Sequence, residues 1–178
     1  NRYKNGSKAQ GALREFLINA TTMAAIGTVA DVIELLGENR IITSYGIKAL
    51  PNCPLVGIQA LLQCAGIAGQ MLDTYHVAFI LAPMLNAAGR MGHARLAVEL
   101  LTSSNQLRAI HISEYLKAQN KQRQQYEKEI FKQTCELAAV KGMDHPDRRS
   151  IVLADENWHI GVIGIVASRM VEKYSKPT

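Results

Sequence analysis

The stretch LRAIHISEYLKAQNKQRQQYEKEIFKQTCELAAV, residues 107–140, contains neither proline nor glycine. This composition predicts a single helix of roughly 30 residues, about 45 Å long. Apolar residues lie toward its two ends, whereas its middle, residues 119–125 (QNKQRQQ), is polar on every side. Such a helix is expected to bridge two packed regions, with an Arg123–Glu127 ion pair supporting its exposed surface. Residues 105–141 are therefore predicted to form a rigid connector between two domains.

The segment before the connector is predicted to be mainly helical. Proline, small residues and two polar side chains interrupt its apolar pattern at residues 83–90 (PMLNAAGR). Elsewhere the helical spacing of apolar residues, together with proline and glycine at the boundaries, predicts four helices. These cover residues 8–26, ended by Gly27, residues 39–50, residues 57–65, ended by Gly66, and residues 94–101.

After the connector and a loop, Ile151–Ala154 is a short apolar run that predicts a buried strand. Apolar residues then lie on one helical face of Val162–Tyr174. A strand, a loop and a helix in this order are typical of the start of an α/β domain. The sequence thus predicts an α/β protein with three parts. These are residues 1–104, 105–141 and 142–178.

The composition is that of a folded globular protein, with 48% hydrophobic and 20% charged residues. Its net charge of +5 is spread evenly, with 8 basic and 6 acidic residues in the first 104 positions and 12 and 9 in the rest. This excess permits binding to nucleic acid but identifies no partner. The three cysteines lack the spacing of a zinc site or disulfide framework, which favours a reducing cytosol. No apolar run approaches the ~20 residues of a membrane span. The first residue is not methionine, so we expect a piece of a longer protein.

Asp31 is an isolated carboxylate in an apolar, β-branched segment, residues 26–33 (IGTVADVI). A carboxylate in such surroundings needs a cation or hydrogen-bond donors to offset its desolvation. A divalent metal would meet this need. The alternative is that Asp31 caps the next turn or pairs with an arginine.

Asn86 and Arg90 lie four residues apart around three small residues, so they share a face if the segment is helical. An arginine fork with a nearby amide suits a phosphate oxygen. The alternative for Arg90 is an ion pair over a tight turn. A second candidate is residues 158–164 (WHIGVIG), where an aromatic ring and His159 precede a helix whose first N–H groups could bind an anion. The alternative for His159 is a helix cap.

Four motifs occur in order: residues 27–32 (GTVADV), 37–40 (GENR), 85–92 (LNAAGRMG) and 158–169 (WHIGVIGIVASR). Together they resemble the RecJ family of the DHH phosphoesterase superfamily. The resemblance implies the C-terminal part of a parallel-sheet DHH domain, a long connecting helix and the start of a DHH-associated C-terminal domain. It also implies cleavage of single-stranded DNA from the 5′ end, with manganese or magnesium, in DNA repair and recombination.

The family resemblance makes Asp31 one ligand of a two-metal centre, which uses several carboxylates and histidines to activate water and neutralise charge. The family's other ligands, in Asp-x-Asp and Asp-His-His motifs and a further aspartate, are absent from this sequence, as is a later Gly-Gly-His motif. The chain alone is therefore expected to be inactive. By the same resemblance, Arg90 and Asn86 line the catalytic cleft. The implied strand or terminal-phosphate contacts are His159, Ser168 and Arg169.

Two positions depart from the family pattern: Met84 replaces a common basic residue and His93 a common acidic one, so both are expected to alter charge near the cleft. The resemblance implies a cytoplasmic, monomeric enzyme that has single-strand-binding protein and a helicase as partners. One alternative is a non-catalytic scaffold of the same fold that binds DNA or joins the replisome. Another is a related phosphodiesterase acting on short oligonucleotides or cyclic dinucleotides.

Overall fold

The computed structural model describes residues 2–178, with side chains described from residue 10 onward. This range contains helices and connecting segments but no β-strand. None of its helices has both the length and the apolar character needed to cross a membrane. The α-helices are α1 (Arg2–Ala30), α2 (Gly37–Ala49), α3 (Val56–Ala65), α4 (Thr74–His76), α5 (Ala82–Arg90), α6 (Ala94–Thr102), α7 (Gln106–Val140) and α8 (Ile160–Tyr174).

The long helix α7 confirms the prediction made from the absence of proline and glycine. It has 35 residues, and the Asn105 side chain caps it by accepting a hydrogen bond from the Arg108 N–H at 3.0 Å. Its two ends belong to different hydrophobic clusters. Leu116 is buried in the first cluster, which is built mainly from α1 to α6, and Ile130 is buried in the second, with Ile151 and α8. The helix therefore joins two separately packed regions.

The middle of α7 was predicted to be exposed on every side, but in the structure part of it is half-buried. The Arg123 side chain is only 14% exposed and Glu127 only 18%. Their ion pair does form, with 3.3 Å between Arg123 Nη1 and Glu127 Oε2. Helices α5 and α8 both contact α7 and cover part of this stretch, whereas Lys121, Gln124 and Gln125 remain exposed.

Residues 74–90 form one continuous helical path rather than an interrupted segment. A π-helical stretch, Val77–Leu81, joins α4 to α5, and the Ala82 N–H donates to the Val77 carbonyl, five residues back. Pro83 follows in the first turn of α5. Proline lacks an N–H group and crowds the preceding turn of an α-helix. A wider turn just before Pro83 relieves that crowding, so the chain stays helical as far as Arg90.

Gly27 does not end the first helix, contrary to the prediction. Helix α1 continues through it to Ala30. Ile26 and Val29 on either side are 5% and 8% exposed and pack into the first hydrophobic cluster. Burial of these side chains offsets the cost of about 1 kcal/mol for glycine inside a helix.

The predicted strand at Ile151–Ala154 is also absent. Ile151 is buried in the second cluster as expected, and its N–H donates to the Pro177 carbonyl at 2.8 Å. A strand needs a ladder of such bonds to a neighbour. Within residues 2–178 no such ladder forms, so the α/β class predicted from sequence gives way to a helical structure over this range.

Helices α3 and α6 approach each other closely at Gly57. A Cβ atom placed on Gly57 would lie 1.7 Å from the Leu100 carbonyl oxygen. Gly57 and Leu100 are both buried. Only a residue without a side chain fits between these two backbones.

Candidate functional site

Asp31 lies in the turn that follows α1, and it is exposed. Its N–H donates to the Gly27 carbonyl at 3.0 Å. In the described residues its carboxylate has no hydrogen bond or ion pair, and the residue that precedes α2 as its cap is Leu36. The desolvation argument is therefore wrong for this structure, and so are the capping and arginine-pair alternatives. The carboxylate is accessible to a ligand from solvent.

A divalent metal needs more ligands than Asp31 provides. Metal sites of this kind use several oxygen ligands around each ion. Among the residues described, no group of three or more His, Cys, Asp or Glu side chains is placed to hold a metal. The exposed Asp31 carboxylate can serve as one ligand, but it does not by itself form a metal site.

Asn86 and Arg90 share one face of α5, since this segment is helical and they are one turn apart. Both side chains are exposed. Arg90 forms no ion pair with a described residue; instead its Nη1 atom donates to the Gly161 carbonyl at 3.3 Å. The ion-pair alternative for Arg90 is therefore wrong. Arg90 links α5 to the first turn of α8.

The contact between α5 and α8 depends on Gly161. A Cβ atom there would lie 2.0 Å from the Arg90 carbonyl oxygen, which belongs to the backbone. We expect Gly161→Ala to destabilise the protein by about 2 kcal/mol, because α8 must move away from α5 to make room. Urea unfolding measures this effect. Gly164→Ala is the control, since it lies in the same helix and no atom lies within 4 Å of a Cβ placed on Gly164. Equal stability of the two variants would contradict the packing argument.

His159 caps α8, as the alternative interpretation held. Its Nδ1 atom accepts a hydrogen bond from the Gly161 N–H at 3.1 Å, and the Val162 N–H donates to the His159 carbonyl at 2.9 Å. Two N–H groups of the first turn are thus already bonded. The anion site predicted from free N–H groups at this helix start is wrong in that form. The His159 ring also stacks on Tyr126 of α7, with 5.4 Å between ring centroids.

Ser168 and Arg169 follow on α8 and face different surroundings. Ser168 is exposed, and its hydroxyl donates to the Gly164 carbonyl at 3.2 Å. Arg169 is half-buried, and its Nη1 atom lies 3.0 Å from Glu127 Oε1 on α7. Its Cζ atom lies 4.0 Å from the centroid of the Phe131 ring, a cation–π geometry.

Three arginine side chains lie near the place where α5, α7 and α8 come together, and we call Arg90, Arg123 and Arg169 the arginine cluster. Glu127 binds Arg123 and Arg169 through different carboxylate oxygens. Burial lowers the pKa of Arg123, Glu127 opposes this shift, and the positive charge of Arg90 adds to it. Arg90 and Arg123 are therefore close enough to repel each other. Such a concentration of positive charge suits a phosphate-bearing ligand.

Sequence reasoning missed part of this cluster. The sequence predicts Arg123 and Glu127 only as a surface ion pair, and it does not single out Tyr126 or Phe131 as site residues. The signal that could have found them is the alternation of charged and aromatic side chains within two turns of α7. Asn86 has no hydrogen-bond partner in the described part of the chain, and no contact joins Asp31 to the cluster.

The two departures from the family pattern lie in different surroundings. Met84 is buried at 4% exposure within the first hydrophobic cluster, and its effect on charge near the cleft remains a prediction. His93 is exposed and packs edge-on against Tyr115, with 5.5 Å between ring centroids. Its effect on charge remains a prediction.

The chain was compared with family models, with curated proteins and with solved structures. No family model matches the chain. RecJ of Bacillus subtilis, named a single-stranded-DNA-specific exonuclease, is 34% identical over 169 residues, covering 95% of this chain and 21% of that protein. Crystal structures of Thermus thermophilus RecJ with Mn²⁺ and with Mg²⁺ match with TM-scores of 0.78 and 0.79 at 33% identity. They cover 89% of this chain but only 23% and 24% of their own.

The chain spans about a fifth to a quarter of the length of these relatives. Identity of this level over nearly the whole chain, with a closely superimposable fold, goes beyond a shared architecture. The chain is therefore homologous, in sequence and in fold, to a part of the RecJ proteins.

Proposed function

We propose that this chain is part of a metal-dependent exonuclease that degrades single-stranded DNA from its 5′ end in DNA repair and recombination. The observation that carries the proposal is the arginine cluster at the junction of α5, α7 and α8. The homology to RecJ proteins, which are named single-stranded-DNA-specific exonucleases, supports the reaction and the substrate. The 5′ polarity belongs to the proposal itself.

The arginine cluster has the chemistry to bind the DNA backbone. Each phosphate carries a negative charge, and guanidinium groups bind phosphate oxygens through paired N–H donors. Arg90 is the proposed contact to the scissile phosphate, where a positive charge stabilises negative charge that develops during hydrolysis. Asn86, one turn away and exposed, is proposed to assist it.

The neighbouring residues on α8 are proposed to hold the strand. His159 precedes α8 and its ring stacks on Tyr126, and Ser168 and Arg169 lie within α8. Stacked rings and guanidinium groups along a surface are common in proteins that bind single strands. We assign these three residues to strand or terminal-phosphate contacts.

Manganese or magnesium is the proposed cofactor, because the similar RecJ structures are complexes with Mn²⁺ and Mg²⁺. When bound, a pair of such ions supplies an activated water and neutralises charge on the phosphodiester. Asp31 is proposed as one ligand, and its exposure in the turn after α1 is compatible with this role. The remaining ligands are proposed to come from outside this sequence.

We further propose the division into a DHH catalytic part at residues 1–104, a connector at 105–141 and a DHH-associated domain that begins at 142. A mainly apolar cavity of about 550 Å³ lies beside Ile151–Ala154 and α8. It offers a surface on which the sheet of an α/β domain can pack. We also propose that the complete enzyme is cytoplasmic and monomeric, and that it cooperates with single-strand-binding protein and a helicase.

The role of Arg169 is tested by Arg169→Ala in the complete protein. We expect binding of a fluorescent single-stranded oligonucleotide to weaken about tenfold, because a charge-assisted contact is lost. The turnover number is expected to change much less. Arg148→Ala is the control, as it removes the same charge from an exposed loop. An equal loss of affinity in both variants would indicate general electrostatics instead of a contact.

The non-catalytic scaffold makes a different prediction for the unmodified protein. A scaffold binds single-stranded DNA but releases no nucleotides when Mn²⁺ or Mg²⁺ is added. Incubation of 3′-labelled single strands with the complete protein and each metal separates the two. Progressive, metal-dependent shortening of the labelled strand supports the exonuclease, and intact DNA after stable binding overturns it.

A further inference from the structure

We infer that Glu127 is a positioning residue that holds Arg123 and Arg169 in place for the phosphate backbone of the DNA strand. This inference rests on the proposed function of the arginine cluster. Glu127 lies on α7, one turn beyond Arg123 and opposite Arg169 of α8. Its role would be to set the orientation of both guanidinium groups before DNA binds.

The two oxygens of the Glu127 carboxylate are divided between two partners. Oε2 accepts from Arg123 Nη1 at 3.3 Å, and Oε1 accepts from Arg169 Nη1 at 3.0 Å. The Glu127 side chain is only 18% exposed. A carboxylate in such a location, bonded through both oxygens, restrains its partners more strongly than an exposed surface pair does.

Arg169 is held from two sides. Glu127 binds one end of its guanidinium, and Phe131 lies against its flat face, with 4.0 Å from Cζ to the ring centroid. Only one N–H group of Arg169 bonds a described residue, so its other donors can reach a ligand. Because the side chain is already ordered, less conformational entropy is lost when a phosphate binds.

Glu127 also balances charge inside the cluster. Arg90 and Arg123 are close enough to repel each other, and Arg123 is largely buried. Among the described residues, Glu127 is the acidic side chain that contacts the cluster directly. Without it, like charges would push the guanidinium groups toward solvent and apart.

A general electrostatic effect and a positioning role of Glu127 predict opposite changes in DNA affinity for Glu127→Gln. Removing a negative charge should by itself strengthen binding to a polyanion such as DNA. A glutamine amide, however, can accept from one arginine and turns its NH₂ group toward the other. If Glu127 positions the arginines, the variant binds single-stranded DNA about tenfold more weakly despite its added positive charge.

The experiment measures binding of a fluorescent oligothymidylate and steady-state hydrolysis by the complete protein. Glu127→Gln is expected to raise KM for single-stranded DNA and leave kcat nearly unchanged. Glu129→Gln is the matched control: it removes the same charge from an exposed site on α7 and is expected to bind equally well or slightly more tightly. Binding by Glu127→Gln that equals or exceeds the unmodified protein overturns the inference.

A double variant separates positioning from general loss of structure. If Glu127 acts through Arg169, adding Glu127→Gln to Arg169→Ala should weaken binding by much less than the single change does. If the two losses simply multiply, the positioning role is wrong. Failure of the unmodified protein to bind or cleave single-stranded DNA would instead reject the proposed function, which keeps the two conclusions distinct.

Discussion

Asp31→Ala in the complete protein is expected to reduce metal-dependent hydrolysis of single-stranded DNA at least about a hundredfold, since metal ions lower such barriers by several kcal/mol. The expectation follows from the proposed role of Asp31 as a metal ligand. In the described part of the chain Asp31 is exposed and its side chain bonds no residue, so the substitution removes no packing or hydrogen bond within this part. The measurement is the initial rate of nucleotide release with Mn²⁺, together with thermal unfolding.

Glu34→Ala is the matched control for Asp31. Glu34 is an exposed carboxylate three residues further along, and only its backbone carbonyl bonds another group, the Asn39 amide. The Glu34→Ala variant should retain metal-dependent hydrolysis of single-stranded DNA. A normal rate for Asp31→Ala, or an equal loss in both variants, would remove Asp31 from the metal centre.

Gly57→Ala is expected to destabilise the protein by about 3 kcal/mol, as overpacking between two backbones cannot be relieved by rotating a side chain. The added methyl group would lie 1.7 Å from the Leu100 carbonyl oxygen. Either α3 or α6 must shift, and both carry residues of the first hydrophobic cluster. Urea unfolding followed by circular dichroism measures the loss.

Gly27→Ala serves as the control for that substitution. Gly27 is exposed inside α1, and no atom lies within 4 Å of a Cβ placed there. Alanine should stabilise the helix by about 0.5–1 kcal/mol. A Gly57→Ala protein as stable as the unmodified one would show that α3 and α6 are less tightly packed than described.

Much of the helical structure could be predicted from sequence, because the relevant forces are local. The absence of proline and glycine was sufficient for α7, and Gly66 correctly marked the end of α3. Predictions failed where contacts with residues distant in sequence determine the secondary structure. Gly27 stays helical because its neighbours are buried, and Ile151–Ala154 forms no strand because a strand depends on a partner elsewhere in the chain.

The candidate site divides in the same way. The spacing of Asn86 and Arg90 predicted a shared helical face, which the structure confirms. The apolar sequence around Asp31 suggested burial, yet exposure depends on what packs against the turn, and there the prediction was wrong. Glu127 and Arg169 are 42 residues apart, so no local pattern could indicate that they form an ion pair.

The continuity of α7 between the two hydrophobic clusters has a consequence for insertions and deletions. Each residue of an α-helix adds about 1.5 Å and about 100° of rotation. Losing a single residue between Leu116 and Ile130 would therefore turn the second cluster by about a quarter of a circle relative to the first. The hydrogen bond between Arg90 and Gly161 would be lost, and Gly161 would no longer pack against α5. The exposed positions in the middle of α7 can vary in composition, but the number of residues in the helix sets how the second cluster is rotated relative to the first.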